Sequence, residues 1–145
     1  MTRSRHPETE AFVSLQRAAD ALLRGVEELL KPAGLTPGQY NVLRILRGAG
    51  PQGLPCREIG TRMITRDPDI TRLVDRLVTR GLATRTRDTA DRRVVKVRIS
   101  TRGLSLLQKL DAPIRALHRR QMQRLSASQR RALLRLLERL LPGGA

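Results

Sequence analysis

Arg72 and Arg76 stand four residues apart in the stretch DPDITRLVDRLVTRGLA. On a helix that spacing brings both guanidinium groups to one surface. Ile70, Leu73, Val74 and Leu77 recur at helical spacing and claim the inward side. Asp69, Arg72, Asp75 and Arg76 are left on the open side, with Thr71 at its border. Arginine can bridge O6 and N7 of guanine and can hold a phosphate. Thr65 and Arg66, just upstream, are placed for phosphates. A solvated face of Asp–Arg pairs would show the same pattern, so this face alone does not decide.

A second charged cluster follows in RTRDTADRRVVKV. Arg87, Asp88, Asp91, Arg92 and Arg93 fall within seven residues, between two runs that alternate apolar and polar. Alternation on both sides of a polar centre predicts a β-hairpin. Asp91 is spaced to hold the Arg93 guanidinium in a bidentate pair, which would fix a long flexible side chain. A hairpin tip of this kind, placed directly after a candidate recognition helix, has the position of a wing. Its arginines, Arg87, Arg92 and Arg93, suit a narrow minor groove or its flanking phosphates. Arg92 and Arg93 are adjacent, which leaves their division of labour open.

Other site chemistry is thin. His6 and His118 lack acid or cysteine companions at metal-ligand spacing. There is no glycine-rich phosphate loop and no serine in a nucleophile-elbow context. No enzyme activity, cofactor or metal is expected. The single cysteine, Cys56, excludes an internal disulfide framework and points to a reducing compartment. Quiet packing beside the helices is its expected role.

The 145-residue chain has the length of a single compact domain. It carries 29 basic and 13 acidic residues, a formal charge of +16. Every base except Lys31, Lys96 and Lys109 is arginine. An excess of this size favours a polyanionic partner, with double-stranded nucleic acid ahead of an anionic membrane surface; GC-rich coding inflates arginine as well. No run approaches the roughly 20 apolar residues of a membrane span, and MTRSRHPETE has no apolar segment after its basic residues. The expected location is the cytoplasm. Aromatic side chains are limited to Phe12 and Tyr40, so the core must be aliphatic.

Leucine-rich, β-poor composition points to helices; with the alternating runs around DTADRR, the expectation is a mainly α protein with a small β-hairpin wing. The first helix runs from about Pro7 to Lys31, with Phe12, Leu15, Ala19, Leu22, Val26 and Leu29 as one stripe. Thr36 caps a second helix with Pro37 in its first turn. A short helical piece spans Cys56 to Ile64. Asp67 as N-cap and Pro68 as first residue open the candidate recognition helix, which ends at Arg80 before Gly81. Ser100 caps a long helix in which Pro113 should introduce a kink. Ser126 and Gln129 form a capping box for the last helix, and PGGA is a frayed tail.

The stretches LTPGQYNVLRIL, DPDITRLVDRLVTRGLATR and DRRVVKVRISTRG, with the flanking long helices, resemble the MarR (multiple antibiotic resistance regulator) family. The resemblance covers nearly the whole chain and rests on the order and spacing of these pieces. It implies one domain over residues 1–145: a winged helix-turn-helix lobe (35–100) and a helical dimerisation region (1–34 and 101–145). It implies a homodimer bound to a pseudo-palindromic operator, with the helix from Pro68 to Arg80 in the major groove. Arg93 would enter the minor groove, oriented by Asp91. Phe12, Leu15, Leu117, Leu133, Leu137 and Leu140 would lie in the dimer interface. It further implies a ligand-responsive repressor. In the family, small aromatic or phenolic effectors often lodge between the dimer helices and the DNA-binding lobe. Phe12 and Tyr40 are within the reach of such a site, though core packing accounts for both. Pro55 departs from the family pattern, in which Ser or Thr often caps the short helix, and Cys56 is not in the N-terminal helix that carries the sensing cysteine of oxidant-responsive members.

The competing class is a basic protein that binds nucleic acid without sequence preference, as an architectural or RNA-binding factor. The scarcity of aromatic residues argues against single-strand stacking modules. A helical module that pairs only with another protein is the third class; it predicts no affinity for duplex DNA.

Overall fold

The computed structural model describes residues 6–143. The reading of the first residues and of the last two falls largely or wholly on positions outside this range. The order of elements is α1 (Pro7–Leu30), α2 (Pro37–Ala49), α3 (Cys56–Arg62), α4 (Ile70–Thr79), β1 (Ala83–Arg87), β2 (Val95–Ile99), α5 (Thr101–Met122) and α6 (Ala127–Leu140). The mainly helical fold with one antiparallel hairpin agrees with the expectation from sequence. Among the described residues no helix is long and apolar enough to cross a membrane.

Helix starts follow their caps. Thr36 accepts from the Gln39 amide, and the Gln39 side chain accepts from the Thr36 amide. Ser126 and Gln129 make the same reciprocal box at α6. Ser100 accepts from the Gly103 amide at 3.0 Å while its hydroxyl donates to the Gly81 carbonyl at 2.6 Å. The bonds that these side chains accept from backbone amides satisfy donors that a helix end leaves open. Gly81 has φ +71°, the left-handed conformation expected after α4. Helix α5 continues through Pro113 without a break.

The start of α4 differs from the sequence reading. Asp67 is not its N-cap; Asp69 is, accepting from the Arg72 amide at 3.0 Å. Asp67 instead accepts from the Asp69 amide at 2.8 Å, a local turn that holds Pro68 outside the helix. The helix therefore begins two residues later than Pro68.

The core lies under α2, α4 and the hairpin. Val42, Leu43 and Leu46 of α2 meet Ile59 of α3, Val74 and Leu77 of α4, and Val97 of β2. Leu107, Leu110 and Ile114 extend it along α5. In the hairpin Ala83 pairs with Ile99 and Arg87 with Val95. Leu54 adds an isolated bridge to the free edge of β2, with bonds of 2.9 and 2.8 Å to Val97. That approach requires glycine at 53: φ is +68°, and a Cβ there would run into the Val97 carbonyl. The loop before α3 is thus stitched to the hairpin, which fixes where the hairpin leaves the lobe.

Helix α1 behaves differently along its length. Leu30 at its end is buried, while Phe12 is 61% exposed and Leu15 is also open. Helix α6 buries no residue at all.

Candidate nucleic-acid interface

Helix α4 buries Val74 and Leu77 and half-buries Ile70 and Leu73, as its apolar spacing requires. Thr71, Arg72, Asp75 and Arg76 are exposed on the other side. Among the described residues no hydrogen bond or ion pair engages the guanidinium groups of Arg66, Arg72, Arg76 or Arg92. Asp75 is occupied: it pairs with Arg85 of β1. This pair ties the outer face of α4 to the hairpin and frees Arg72 and Arg76 from a competing carboxylate. The sequence reading missed Arg85, because a helix–strand pair ten residues apart leaves no periodic signal. Asp69 sits at the same surface, but its Oδ1 is committed to the Arg72 amide. Thr65 and Arg66 are exposed in the turn between α3 and α4. The backbone of that turn is held by Asn41 of α2, whose Oδ1 accepts from the Ile64 amide at 2.8 Å.

At the hairpin tip, Asp91 and Arg93 form the pair expected from their spacing. Oδ1 of Asp91 accepts from Nε of Arg93 at 3.1 Å, and Oδ2 accepts from Nη2 at 3.2 Å. Oδ1 also takes the Arg93 amide at 3.1 Å. These bonds, the side-chain ones first, hold the Asp91 carboxyl below the usual carboxylate range. The Arg93 side chain is 91% exposed although its head is held. The result is a cation with a fixed direction and no cover. Arg87 donates to the Arg92 carbonyl at 2.9 Å and so braces the tip from within. Asp88 faces Lys96 at 3.6 Å. The Arg92 guanidinium is the unbraced charge beside Arg93.

Two side-chain links join this lobe to the long helices. Arg80, just after α4, donates to the carbonyls of Gly34 at 2.7 Å and Ala33 at 2.9 Å, in the turn after α1. Arg47 of α2 makes a bidentate pair with Asp111 of α5, at 2.9 and 3.0 Å. The Arg47 bond is the main reason the Asp111 carboxyl lies below its ordinary range, and Arg47 is raised in turn. Because the folded value is depressed, the pair's contribution is complete above the ordinary carboxylate value of about 3.9 and is lost as pH falls through the lower folded one. Asp111→Asn should cost roughly 1 kcal/mol at pH 7. That gap should narrow as pH falls below 4. Urea unfolding of both proteins at pH 7 and pH 3 measures it, and an equal gap at the two values would exclude the pair as its source.

Beside this pair, Tyr40, Arg44, Arg47, Asp111, Ile114, Arg115 and His118 line a cleft between α2 and α5. Tyr40 is buried, with Arg44 6.0 Å from its ring centre. Phe12 does not line the cleft. Cys56 packs against the core, and burial pushes its thiol up, with Arg85 opposing. That direction is away from an activated thiolate.

Of the residues expected at a dimer interface, Phe12 and Leu15 are exposed on α1 and Leu140 is 71% exposed on α6. Leu117, Leu133 and Leu137 are half-buried. Leu134, Leu136 and Leu141 add to the open apolar surface of the C-terminal segment.

A short helix, a turn, a capped helix with free arginines and a hairpin with an aimed arginine define a winged helix-turn-helix protein. Residues 35–95 match the MarR family. The transcriptional repressor IacR of Pseudomonas putida is 32% identical over 127 residues, covering 88% of this chain and 75% of that protein. A MarR transcription factor from Planctomyces limnophilus has a solved structure with 40% identity and a TM-score of 0.72, covering 95% of this chain and 98% of the other. A cysteine-to-serine mutant of MarR from E. coli, solved in complex with operator DNA, gives 25% identity and a TM-score of 0.83 over 97% of this chain and 100% of the other. The chain belongs to the MarR family. It is a DNA-binding transcriptional regulator and not an enzyme.

Proposed function

We propose that the protein is a cytoplasmic repressor that binds a pseudo-palindromic operator as a homodimer and leaves it when a small effector binds. The observation that carries this reading is the pairing of two unpartnered arginines on α4 with one held, exposed arginine on the hairpin of the same lobe. In this reading Arg72 and Arg76 face base edges in the major groove. Thr71 contributes at their border, and Thr65 and Arg66 meet phosphates. Asp69 presets the helix start. Arg93, aimed by Asp91, enters the flanking minor groove, while Arg92 and Arg87 stay at the backbone. Residues 35–100 do the reading, and residues 1–34 with 101–145 hold the two copies together. The exposed leucines of α1 and α6 support that division, since several large apolar side chains left open on the same helices suit an interface.

An effector in the cleft between α2 and α5 would touch the Arg47–Asp111 pair directly. Arginines and a tyrosine there suit an aromatic compound with an anionic group. Such a ligand needs only to bind the DNA-incompetent arrangement better than the competent one.

The test is selection of duplexes from a random pool, followed by footprinting. A palindromic site with protected major-groove centres and minor-groove flanks is the expected result. Binding that random duplex competes away equally well would favour the sequence-independent reading instead. With a site in hand, Arg93→Ala should weaken binding and shallow the salt dependence by about 0.9 in log–log slope for each charge removed. An unchanged affinity at physiological salt would sink the wing assignment.

A further inference from the structure

Ile64 is the most exposed large apolar side chain among the described residues, at 82%. It lies in the turn between α3 and α4, not on the apolar surfaces of α1 or α6. Its neighbours Thr65 and Arg66 are polar and also exposed. Its backbone is not loose: the amide donates to Asn41 Oδ1, which anchors the turn to α2. The chain therefore holds an isoleucine out into solvent at a fixed place, just past the end of α3 in the turn that leads to the helix carrying Arg72 and Arg76.

In a helix-turn-helix the N-terminal end of the second helix meets the base edges. The apolar group that B-DNA offers in the major groove is the C5-methyl of thymine. We infer that Ile64 is a specificity residue that packs on a thymine methyl in each operator half-site. This rests on the DNA-binding reading above and adds a base preference that arginine cannot supply.

Deoxyuridine lacks only that methyl, so it tests the contact without altering base pairing. The duplex selected by the wild-type protein is remade with each thymine replaced in turn by deoxyuridine. At one thymine per half-site, affinity should fall about fourfold, the worth of one buried methyl group. In Ile64→Ala the same replacement should have no effect, while the variant's thermal stability and sedimentation match wild type. Indifference of wild type to every replacement overturns the inference and leaves the DNA-binding reading intact. A penalty that persists unchanged in Ile64→Ala also overturns it, because another side chain or DNA shape then reads the methyl. A change in oligomeric state in Ile64→Ala, with the penalty intact, would make Ile64 a contact between copies and overturn it too. Failure of the wild-type protein to select any duplex would bring down both readings.

Discussion

Alanine at Arg72 or Arg76 is expected to lower operator affinity by roughly 5- to 150-fold per half-site, the value of about 1–3 kcal/mol for a specific guanidinium–base contact. The thermal midpoint should stay within a degree or two. Both expectations follow from one structural fact: among the described residues neither guanidinium has a hydrogen-bond or ion-pair partner, so removing it breaks no such bond there. A base contact and a phosphate contact then separate by their sequence dependence. If Arg76 reads a guanine, Arg76→Ala relaxes the preference at one position of the site and leaves the others intact. If it holds phosphate, all sequences weaken together and the salt slope falls. Isothermal titration or fluorescence anisotropy against the selected duplex and its single-base variants distinguishes the two. A loss of stability comparable to a core truncation would show instead that these arginines are structural. Arg85 is the internal comparison. It lies at the same surface but is paired with Asp75, so its removal should disturb the hairpin as well as the charge.

The contrast between these arginines shows where sequence reasoning reaches and where it stops. Local chemistry was legible. Asp91 and Arg93 are two residues apart, and no intervening packing decides whether they meet. The capping box at Ser126 and the left-handed Gly81 were legible for the same reason. The start of α4 was half legible: DPD offers two aspartates, and either can cap. What selects Asp69 is the turn that Asp67 closes onto the Asp69 amide, a bond that keeps Pro68 out of the helix. Contacts between elements left no trace. Leu54 joins the hairpin as a single residue without periodicity, and Arg80 reaches Ala33 and Gly34 across 47 and 46 residues of chain. The stripe on α1 is continuous in sequence, yet only its C-terminal end is buried within the chain. An apolar face is written identically whether it packs on its own core or on a second copy.

Those links matter because they sit between the reading surface and the helices proposed to pair. Arg80 ties the end of α4 to the turn after α1, and Arg47–Asp111 ties α2 to α5. A shift of the long helices would be carried to α4 through these contacts and through the packed core between them. A ligand that lowers DNA affinity by a given factor must itself be bound more weakly by the DNA-bound protein, by the same factor.

The leucines of α6 carry the second large prediction. Leu133, Leu137 and Leu140 are spaced four and three apart and share one face, yet no residue of α6 is buried within the chain. Leu137→Glu or Leu140→Glu places a carboxylate in that face. Two copies each lose a leucine contact worth about 1.5–3 kcal/mol and must bury or expel a charge. The dissociation constant of the proposed dimer should therefore rise by at least about 100-fold, enough to give monomers at micromolar concentration in sedimentation. Ser128→Glu, in the first turn of the same helix and outside the leucine set, should leave the dimer unchanged and favour the helix N-terminus. The monomeric variants should also lose operator binding, because a single lobe forfeits the effective concentration that the linked second lobe provides. Their helical content should stay close to wild type, since the core under α2, α4 and the hairpin contains no residue of α6. An intact dimer in Leu137→Glu and Leu140→Glu alike would refute this seam and shift the interface to the exposed half of α1 around Phe12 and Leu15.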